Sequence, residues 1–373
     1  MRGLYLHIPF CDKKCHYCNF VITTKQSGED RKRFISAIAK EAEYAANKYG
    51  RLSFDTLYLG GGTPSVLSPT EIEQILRFVK KYFDVANGAE VSCEVNPGDG
   101  DFEKFAQYRD LGINRISLGV QSMEDSILQD MNRTHSADDI IKTFGLLKAA
   151  GFSNISVDLM TRLPGQSVKL FCDSLDRCLS LQPTQISLYD LEVHESTVFG
   201  LRKKRGELVL PVEDDHVAMM NYAEDRLDQA GFNHYEVLNF AKPGFESKHN
   251  LVYWKNREYL GLGPGAFSYL QKKRYQFADT VKRYYEKMDV GDWQNDQQDQ
   301  LDAEKIEWEN LIASIRLADG VDLDQFPLIR NKINQKIENL FESGVIEWNQ
   351  SRVKLTRRGR FLIETVLAEL VAA

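Results

Sequence analysis

The stretch Arg115-Ile-Ser-Leu-Gly-Val-Gln121 places Ile116, Leu118 and Val120 on one side of an extended chain and Ser117, Gly119 and Gln121 on the other. Side chains alternate across a strand, so one face is apolar and the other polar or small. The same split recurs three times. Leu4, Leu6 and Ile8 oppose Tyr5 and His7; Val91, Cys93 and Val95 oppose Ser92 and Glu94; Ile155, Val157 and Leu159 oppose Ser156 and Asp158. A doubly wound sheet buries both faces under helices and would be apolar on both. A closed eight-stranded barrel fills its interior with branched apolar residues. The pattern instead predicts helices outside and a polar cavity inside.

Short β-branched or aliphatic runs at Leu4–Ile8, Thr56–Leu59, Glu90–Val95, Arg115–Val120, Ile155–Leu159 and Gln185–Leu191 are the predicted strands. Stretches with helical periodicity separate them, such as Phe34, Ile35, Ile38, Ala42 and Ala45. Strand–helix alternation marks βαβ units and a parallel sheet. The predicted fold is α/β: a partial, laterally open (β/α)6 barrel over residues 1–230. Beyond Leu191 come the basic run Arg202–Arg205, a helix-like Asp214–Gln229, a strand-like His234–Phe240 and an aromatic, glycine-rich stretch to Tyr269. Residues 231–300 read as an extension ending in a polar linker, Gly291–Lys305. Residues 301–373 read as a small winged-helix-like α+β domain. It has helices at Ile306–Leu317 and Phe326–Glu342, a hairpin of Val345–Trp348 and Val353–Thr356, and a last helix from about Arg358.

The chain has 373 residues, 47 Lys+Arg against 54 Asp+Glu, and a net charge of −7. A pI near 5.6 argues against a protein whose main task is coating nucleic acid, despite the Arg352–Arg360 cluster in the tail. A mean hydropathy of −0.39 and the absence of a long apolar run predict no membrane span, though peripheral contact stays open. The first ten residues do not read as a signal peptide, and the expected location is the cytoplasm.

Three of the six cysteines lie in Cys11-Asp-Lys-Lys-Cys15-His-Tyr-Cys18, in the loop after the first strand. Three thiolates on a short loop suit three corners of a [4Fe-4S] cluster, leaving one iron open. Structural zinc normally takes four ligands, and only His16 or His7 is at hand for the fourth. Cys93, Cys172 and Cys178 read as small apolar residues. Gly60-Gly-Gly-Thr-Pro64 ends the second strand, where missing side chains allow close backbone approach. Glu94, Gln121 and Asp158 end the next three strands on the polar face, and Arg133 follows in Met131-Asn-Arg-Thr. Strand ends form the active site of barrel folds. A carboxylate, an amide and an arginine suit an amino-acid ligand with ribose hydroxyls.

The C-x3-C-x2-C spacing resembles that of the radical S-adenosylmethionine (SAM) superfamily. Tyr5–Cys11, Gly60–Pro64, Ser92–Pro97, Arg115–Gln121 and Ser156–Gln166 are similar to the oxygen-independent coproporphyrinogen III dehydrogenase (HemN-like) family, from Tyr5 to about Tyr269 and again in the tail. The resemblance implies a 4Fe-4S cluster on Cys11, Cys15 and Cys18. It also implies SAM contacts from Gly61, Gly62, Glu94, Gln121, Arg133 and Asp158, with Tyr5 and Thr63 beside them in the same motifs. Two features resemble the family's heme-chaperone branch: Phe20 stands where the dehydrogenases carry a fourth cysteine, and His249-Asn-Leu-Val-Tyr-Trp254 matches an H-N-x-x-Y-W motif. That branch implies heme as a ligand, with His249 the candidate axial ligand, apo-hemoproteins as recipients and an electron donor as a further partner. The alternative is the dehydrogenase itself, oxidatively decarboxylating a porphyrinogen. A third class, a radical SAM enzyme acting on tRNA, lacks a basic stripe. Two residues depart from the family pattern: Arg162, where a glycine is common, and Phe267, where a histidine is common.

Overall fold

The computed structural model describes residues 1–371. Six parallel strands form its centre: β1 (Gly3–Ile8), β2 (Ser53–Gly61), β3 (Asp84–Val95), β4 (Arg115–Gln121), β5 (Ile155–Thr161) and β6 (Gln185–Asp190). Helices join them, among them Gly28–Tyr49, Pro69–Tyr82, Phe102–Asp110, Ala137–Ala149 and Val168–Ser180. Ser27, Ser68 and Ser136 start three of these with capping boxes, which satisfy backbone N–H groups that a first turn leaves open. The outward alternates Leu4, Leu6, Ile8, Leu57, Leu59, Cys93, Ile116 and Leu118 share one core with Phe34, Ile38, Ile72 and Ile75 of the helices. The inward alternates (Tyr5, Tyr58, Glu94, Ser117, Asp158 and Ser187 among them) are left to line a polar lumen. The partial α/β barrel read from the strand alternation is the architecture observed.

Both edges of the barrel are extended, not closed on each other. The hairpin β7 (Asn233–Glu236) and β8 (Asn239–Ala241) adds antiparallel to β6. At the other edge β9 (Tyr259–Leu262) pairs parallel with β1, followed by β10 (Phe267–Leu270), β11 (Lys273–Gln276) and β12 (Gln297–Gln300). The sheet order is thus β12-β11-β10-β9-β1-β2-β3-β4-β5-β6-β8-β7.

Three expectations change in detail. The strand-like His234–Phe240 is a hairpin, because the chain reverses at Val237-Leu238. The polar segment Gly291–Lys305 supplies β12, whose four residues are all exposed. An edge strand needs backbone pairing and no apolar face, and polar side chains keep it from pairing further. The helix expected over Phe326–Glu342 begins at Arg330, after a 3-10 turn at Leu323–Gln325, since Pro327 biases Phe326 away from helix.

The C-terminal part has its own core, built from Leu311, Ile315, Ile333, Ile337, Val353 and Leu370 with Val237 of the β7–β8 turn. It contains helix Ala303–Ser314, β13 (Val321–Asp322), helix Arg330–Glu342, the hairpin β14 (Ile346–Asn349) and β15 (Arg352–Leu355), and helices Arg357–Phe361 and Ile363–Val371. That is a winged-helix-like arrangement. Its arginines have protein partners: Arg357 and Arg360 turn inward to Glu224, while the exposed Arg358 and Arg352 bond the Ser343 and Asp319 carbonyls at the surface. All six cysteines are free; Cys93 and Cys178 are buried as expected, while Cys172 lies at the helix flank and is half-buried.

Candidate functional site

The carboxyl ends of β1 and β2 are locked together before any side chain is considered. Gly62 N–H donates to the Ile8 carbonyl at 2.8 Å and Thr63 N–H to the Phe10 carbonyl at 2.7 Å. Across the loop, Cys11 N–H donates to Thr23 O at 3.1 Å and Thr23 N–H returns to Pro9 O at 2.7 Å. The glycines serve this approach. A Cβ on Gly62 would lie 2.6 Å from Phe10 O, and Gly61 has φ +114 with His7 ring atoms 2.7 Å from where its Cβ would be. The cysteine loop is therefore pinned to the Gly60–Pro64 turn.

The three thiols are half-buried on that loop. Cys11 Sγ lies 3.4 Å from Thr63 Oγ1, and Arg133 Nη1 donates to Cys15 Sγ at 3.5 Å. Burial pushes the Cys11 thiol up to about 11 and raises Cys18 as well. Among the described residues no three His, Cys, Asp or Glu side chains converge as a single ion requires. A four-iron cluster is an extended object that takes its thiolates at separate corners.

Arg133 organises the upper lumen. Its Nη2 donates to Asn96 Oδ1 at 2.8 Å and to Gly119 O at 2.9 Å, and Asn96 Nδ2 donates to Thr63 Oγ1 at 3.1 Å. Its Nε is buried with no partner among the described residues. Thr63, Asn96, Asn132 and Arg133 line one cleft beside the loop. Gln121 reaches the same region through a bulge between Gly119 and Gln121, where it takes φ +67.

Below this level, Tyr58 O–H donates to Glu94 Oε1 at 3.0 Å and Gly61 N–H to Glu94 Oε2 at 3.1 Å. Burial and then the Asp158 charge raise Glu94 to about 7. Asp158 is raised by burial too, and accepts from Ser117 Oγ at 3.0 Å. Tyr5 bonds His7 Nδ1 at 3.1 Å while His7 Nε2 meets the Val21 carbonyl at 2.8 Å. A carbonyl can only accept, so Nε2 carries the proton and Nδ1 accepts from the tyrosine.

The structure thus gathers Cys11, Cys15, Thr63, Gln121 and Arg133 at the mouth, with Tyr5, Glu94 and Asp158 deeper. Asn96 and Tyr58 complete the arrangement and were not singled out from sequence. Asn96 lies in the quoted Ser92–Pro97 motif directly after a strand end, which was the available signal. Tyr58 is an inward alternate of β2.

His249 lies away from the cysteine loop but against the deep rings Tyr5 and Tyr58, at 6.4 and 5.0 Å between centroids. It sits at the opposite end of the lumen, at the level of Gly3 and Thr56, roughly 17 Å down the strands from the cysteine loop at 3.3 Å per residue. Its Nδ1 is 2.8 Å from Thr56 Oγ1 and its Nε2 2.9 Å from the Tyr253 hydroxyl. The ring stacks on Tyr58 at 5.0 Å between centroids and is 1% exposed. Burial, then the Arg115 charge, lowers it to about 3, so the imidazole is neutral at neutral pH.

Residues 5–178 match the Radical SAM superfamily. Over 359 residues the chain is 35% identical to "Heme chaperone HemW" of Lactococcus lactis subsp. lactis (strain IL1403), covering 96% of this chain and 92% of that protein. The chain belongs to the HemW heme-chaperone family. The Bacillus subtilis (strain 168) HemW is 34% identical and covers 97% of both chains. The Escherichia coli coproporphyrinogen III oxidase HemN, described as a radical SAM enzyme, superposes with a TM-score of 0.87 over 100% of this chain and 90% of its own. At 22% identity that likeness establishes the shared fold.

In this HemW-family chain Phe20, at the position of the dehydrogenases' fourth cysteine, is a surface ring, 66% exposed, and the departure Phe267 is 42% exposed. Arg162 occupies φ +61, backbone space that favours glycine, and reaches Glu213 at 3.9 Å.

Proposed function

We propose that this chain carries a 4Fe-4S cluster on Cys11, Cys15 and Cys18, holds SAM at the lumen mouth, and binds heme through His249 for delivery to apo-hemoproteins in the cytoplasm. The observation that carries the reading is the HNxxYW imidazole. It is held neutral against Tyr58, the protonation state that iron ligation needs, with its two nitrogens bonded to Thr56 and Tyr253 as the structure stands. The donor set at the mouth supports the remaining ligands. Arg133 has an unpartnered Nε beside Cys15, suited to a carboxylate. Glu94 and Asp158 are acceptors for an ammonium and for hydroxyls. A reduced cluster with SAM supplies one-electron chemistry when bound. The chain's own residues orient that ligand: Thr63 and Asn96 fix Arg133, and Gly61 fixes Glu94. Residues 1–230, 231–300 and 301–373 then divide as cofactor barrel, heme-motif extension and winged-helix-like attachment. An electron donor is the remaining partner. No helix among the described residues is long and apolar enough to cross a membrane.

The HemN-like fold over the whole chain favours a second reading, oxidative decarboxylation of coproporphyrinogen III. Titration of anaerobically reconstituted protein with heme, followed at the Soret band, separates the two. The expected result is a stoichiometric shift that Glu and Ala variants elsewhere retain and His249→Ala weakens at least tenfold. Absence of binding, with vinyl product formed from coproporphyrinogen, would overturn the heme-delivery reading in favour of the decarboxylating enzyme.

A further inference from the structure

As it stands, His249 is not reachable by a macrocycle. The ring is 1% exposed, the gap to Tyr58 is 5.0 Å between centroids, and a Cβ on Gly3 would already lie 3.1 Å from the imidazole. Both ring nitrogens are engaged, Nε2 by Tyr253 four residues along the same helix. A flat ring system the width of a porphyrin fits neither between these rings nor beside them. Ligation therefore requires that helix Lys248–Trp254 leave the lumen floor.

What holds the helix in place is specific. Glu90, on β3 and 6% exposed, takes the Lys248 N–H on Oε2 and the His249 N–H on Oε1, both at 3.0 Å. Both oxygens of one buried carboxylate are thus spent on the first turn of this helix, across 158 and 159 residues of sequence. Behind Glu90 lies Arg115, 2% exposed, for which Glu90 is the largest facing charge. Only Nη2 of that guanidinium is bonded, to Gln185 Oε1 at 2.9 Å; Nε and Nη1 have no partner among the described residues. The carboxylate could turn to Arg115 once the helix departs, so the charge would not be stranded. The helix is flanked by two positive-φ turns, Gly244 at +86 and Asn256 at +43, where a hinge could form. Its other ties are the Ser247 cap to Asn250, Ser247 N–H to the Tyr235 hydroxyl, Thr56 to His249, and Asn256 to Asn310 and Arg274. Val252 is buried against Tyr259, Tyr269 and Leu301, and Arg316 lies over the Trp254 ring. Among the described residues, Glu90 is the one carboxylate in the groups that hold its first turn.

We propose that Glu90 is a positioning residue that latches the HNxxYW helix into the lumen floor, and that heme binds only to the unlatched form, with Glu90 passed to Arg115. The inference rests on His249 being the heme ligand. It makes heme uptake limited by helix opening: at high hemin the observed rate reaches a plateau.

The test compares full-length wild type, Glu90→Gln and Glu90→Ala by stopped-flow Soret absorbance with excess ferric hemin. Amide exchange of residues 244–257 is measured in parallel. The expected result is a plateau rate on the order of a hundredfold higher in Glu90→Ala, the loss of two charge-assisted hydrogen bonds. Glu90→Gln, whose amide oxygen still accepts one N–H, falls between, and the final Soret position is shared by all three. Glu90→Gln is nearly isosteric, so it carries the test independently of how well the alanine variant folds. Equal plateau rates in the three proteins, with faster exchange of the helix in the variants, would overturn the latch as a step in uptake. Unchanged hemin binding in His249→Ala would overturn the ligand assignment instead, while the exchange data still report on Glu90.

Discussion

A methyl group at Gly62 would lie 2.6 Å from the Phe10 carbonyl oxygen and 2.9 Å from that of Ile8. Neither oxygen can retreat, because each already accepts from the Gly62–Thr63 backbone. Gly62→Ala is therefore expected to push the cysteine loop off the second strand, at roughly 1–3 kcal/mol. Iron content after anaerobic reconstitution should drop by more than half. Gly28→Ala, with open space around its Cβ, should keep both melting temperature and iron. Wild-type iron in Gly62→Ala would show that the pinning is irrelevant to cluster assembly. Residue-scale features of this kind were legible from sequence wherever the signal was local. The three cysteines, Glu94 and Asp158 follow from spacing and from period-two alternation. Arg162 stood out as a departure, but its φ of +61 belongs to the turn after β5 and cannot be read from residue type. The place of His249 was also hidden, since Glu90, Thr56 and Tyr58 reach it from distant strands.

Between elements, one buried carboxylate ties the helix Gly28–Tyr49 to the turn after β9. Glu41 Oε2 accepts both the Gly263 N–H and the Tyr284 O–H at 2.8 Å. Gly263 in turn sits 2.5 Å, by its absent Cβ, from the His7 carbonyl, so this tie also seats the end of β1. Burial raises Glu41 from 4.5 to about 7. A raised carboxyl binds its proton more tightly folded than unfolded. Its favourable contribution is present below about pH 4.5 and lost as pH rises through about 7. Glutamine keeps the accepting oxygen and cannot ionise. Glu41→Gln is thus expected to match wild type near pH 4.5 and exceed it at pH 8, by on the order of 1–3 kcal/mol in denaturant melts. An identical gap at both pH values would mean that ionisation of Glu41 is not what differs. The strands flanking this turn illustrate how far element-scale reading goes. β1 to β6 announce themselves because one face must meet helices. β12 does not, because an edge strand of Gln297, Gln298, Asp299 and Gln300 buries nothing.

At the scale of the molecule, the barrel and the winged-helix-like part meet along a polar seam beside the HNxxYW helix. Backbone bonds cross it from Val237 to Arg316 O at 3.1 Å and from Ala318 to Tyr235 O at 3.0 Å, and Arg316 lies over the Trp254 ring at 5.4 Å. Its charged centre is Glu224 on helix Glu213–Gln229, only 10% exposed, with Arg357 Nε at 2.9 Å and Arg360 Nη2 at 3.0 Å. His234 approaches the same carboxylate at 3.5 Å but is lowered to about 3 by burial and by Arg360, so it adds no charge at neutral pH. Sequence showed the arginines as a basic cluster; the acid that absorbs them lies more than a hundred residues earlier, and only the docking of the two parts brings it there. Glu224→Ala would leave Arg360 without its carboxylate, while Arg357 keeps Asp225 at 2.8 Å. Removing one partner of a buried pair costs about 3–5 kcal/mol, and the partly exposed arginines reduce that to roughly 1–3 kcal/mol here. Because the loss falls on the seam and on neither core, it should appear as a separation of the C-terminal melting transition from that of the barrel, with faster proteolysis between residues 301 and 330. Glu224→Gln, which keeps shape and hydrogen bonding but not charge, should give a smaller separation. High salt should lessen the difference between wild type and variant, since part of the pair is screened. A single transition in Glu224→Ala, shifted no further than in an exposed control such as Glu73→Ala, would place the coupling in the shared apolar core around Val237 and not in the ion pairs.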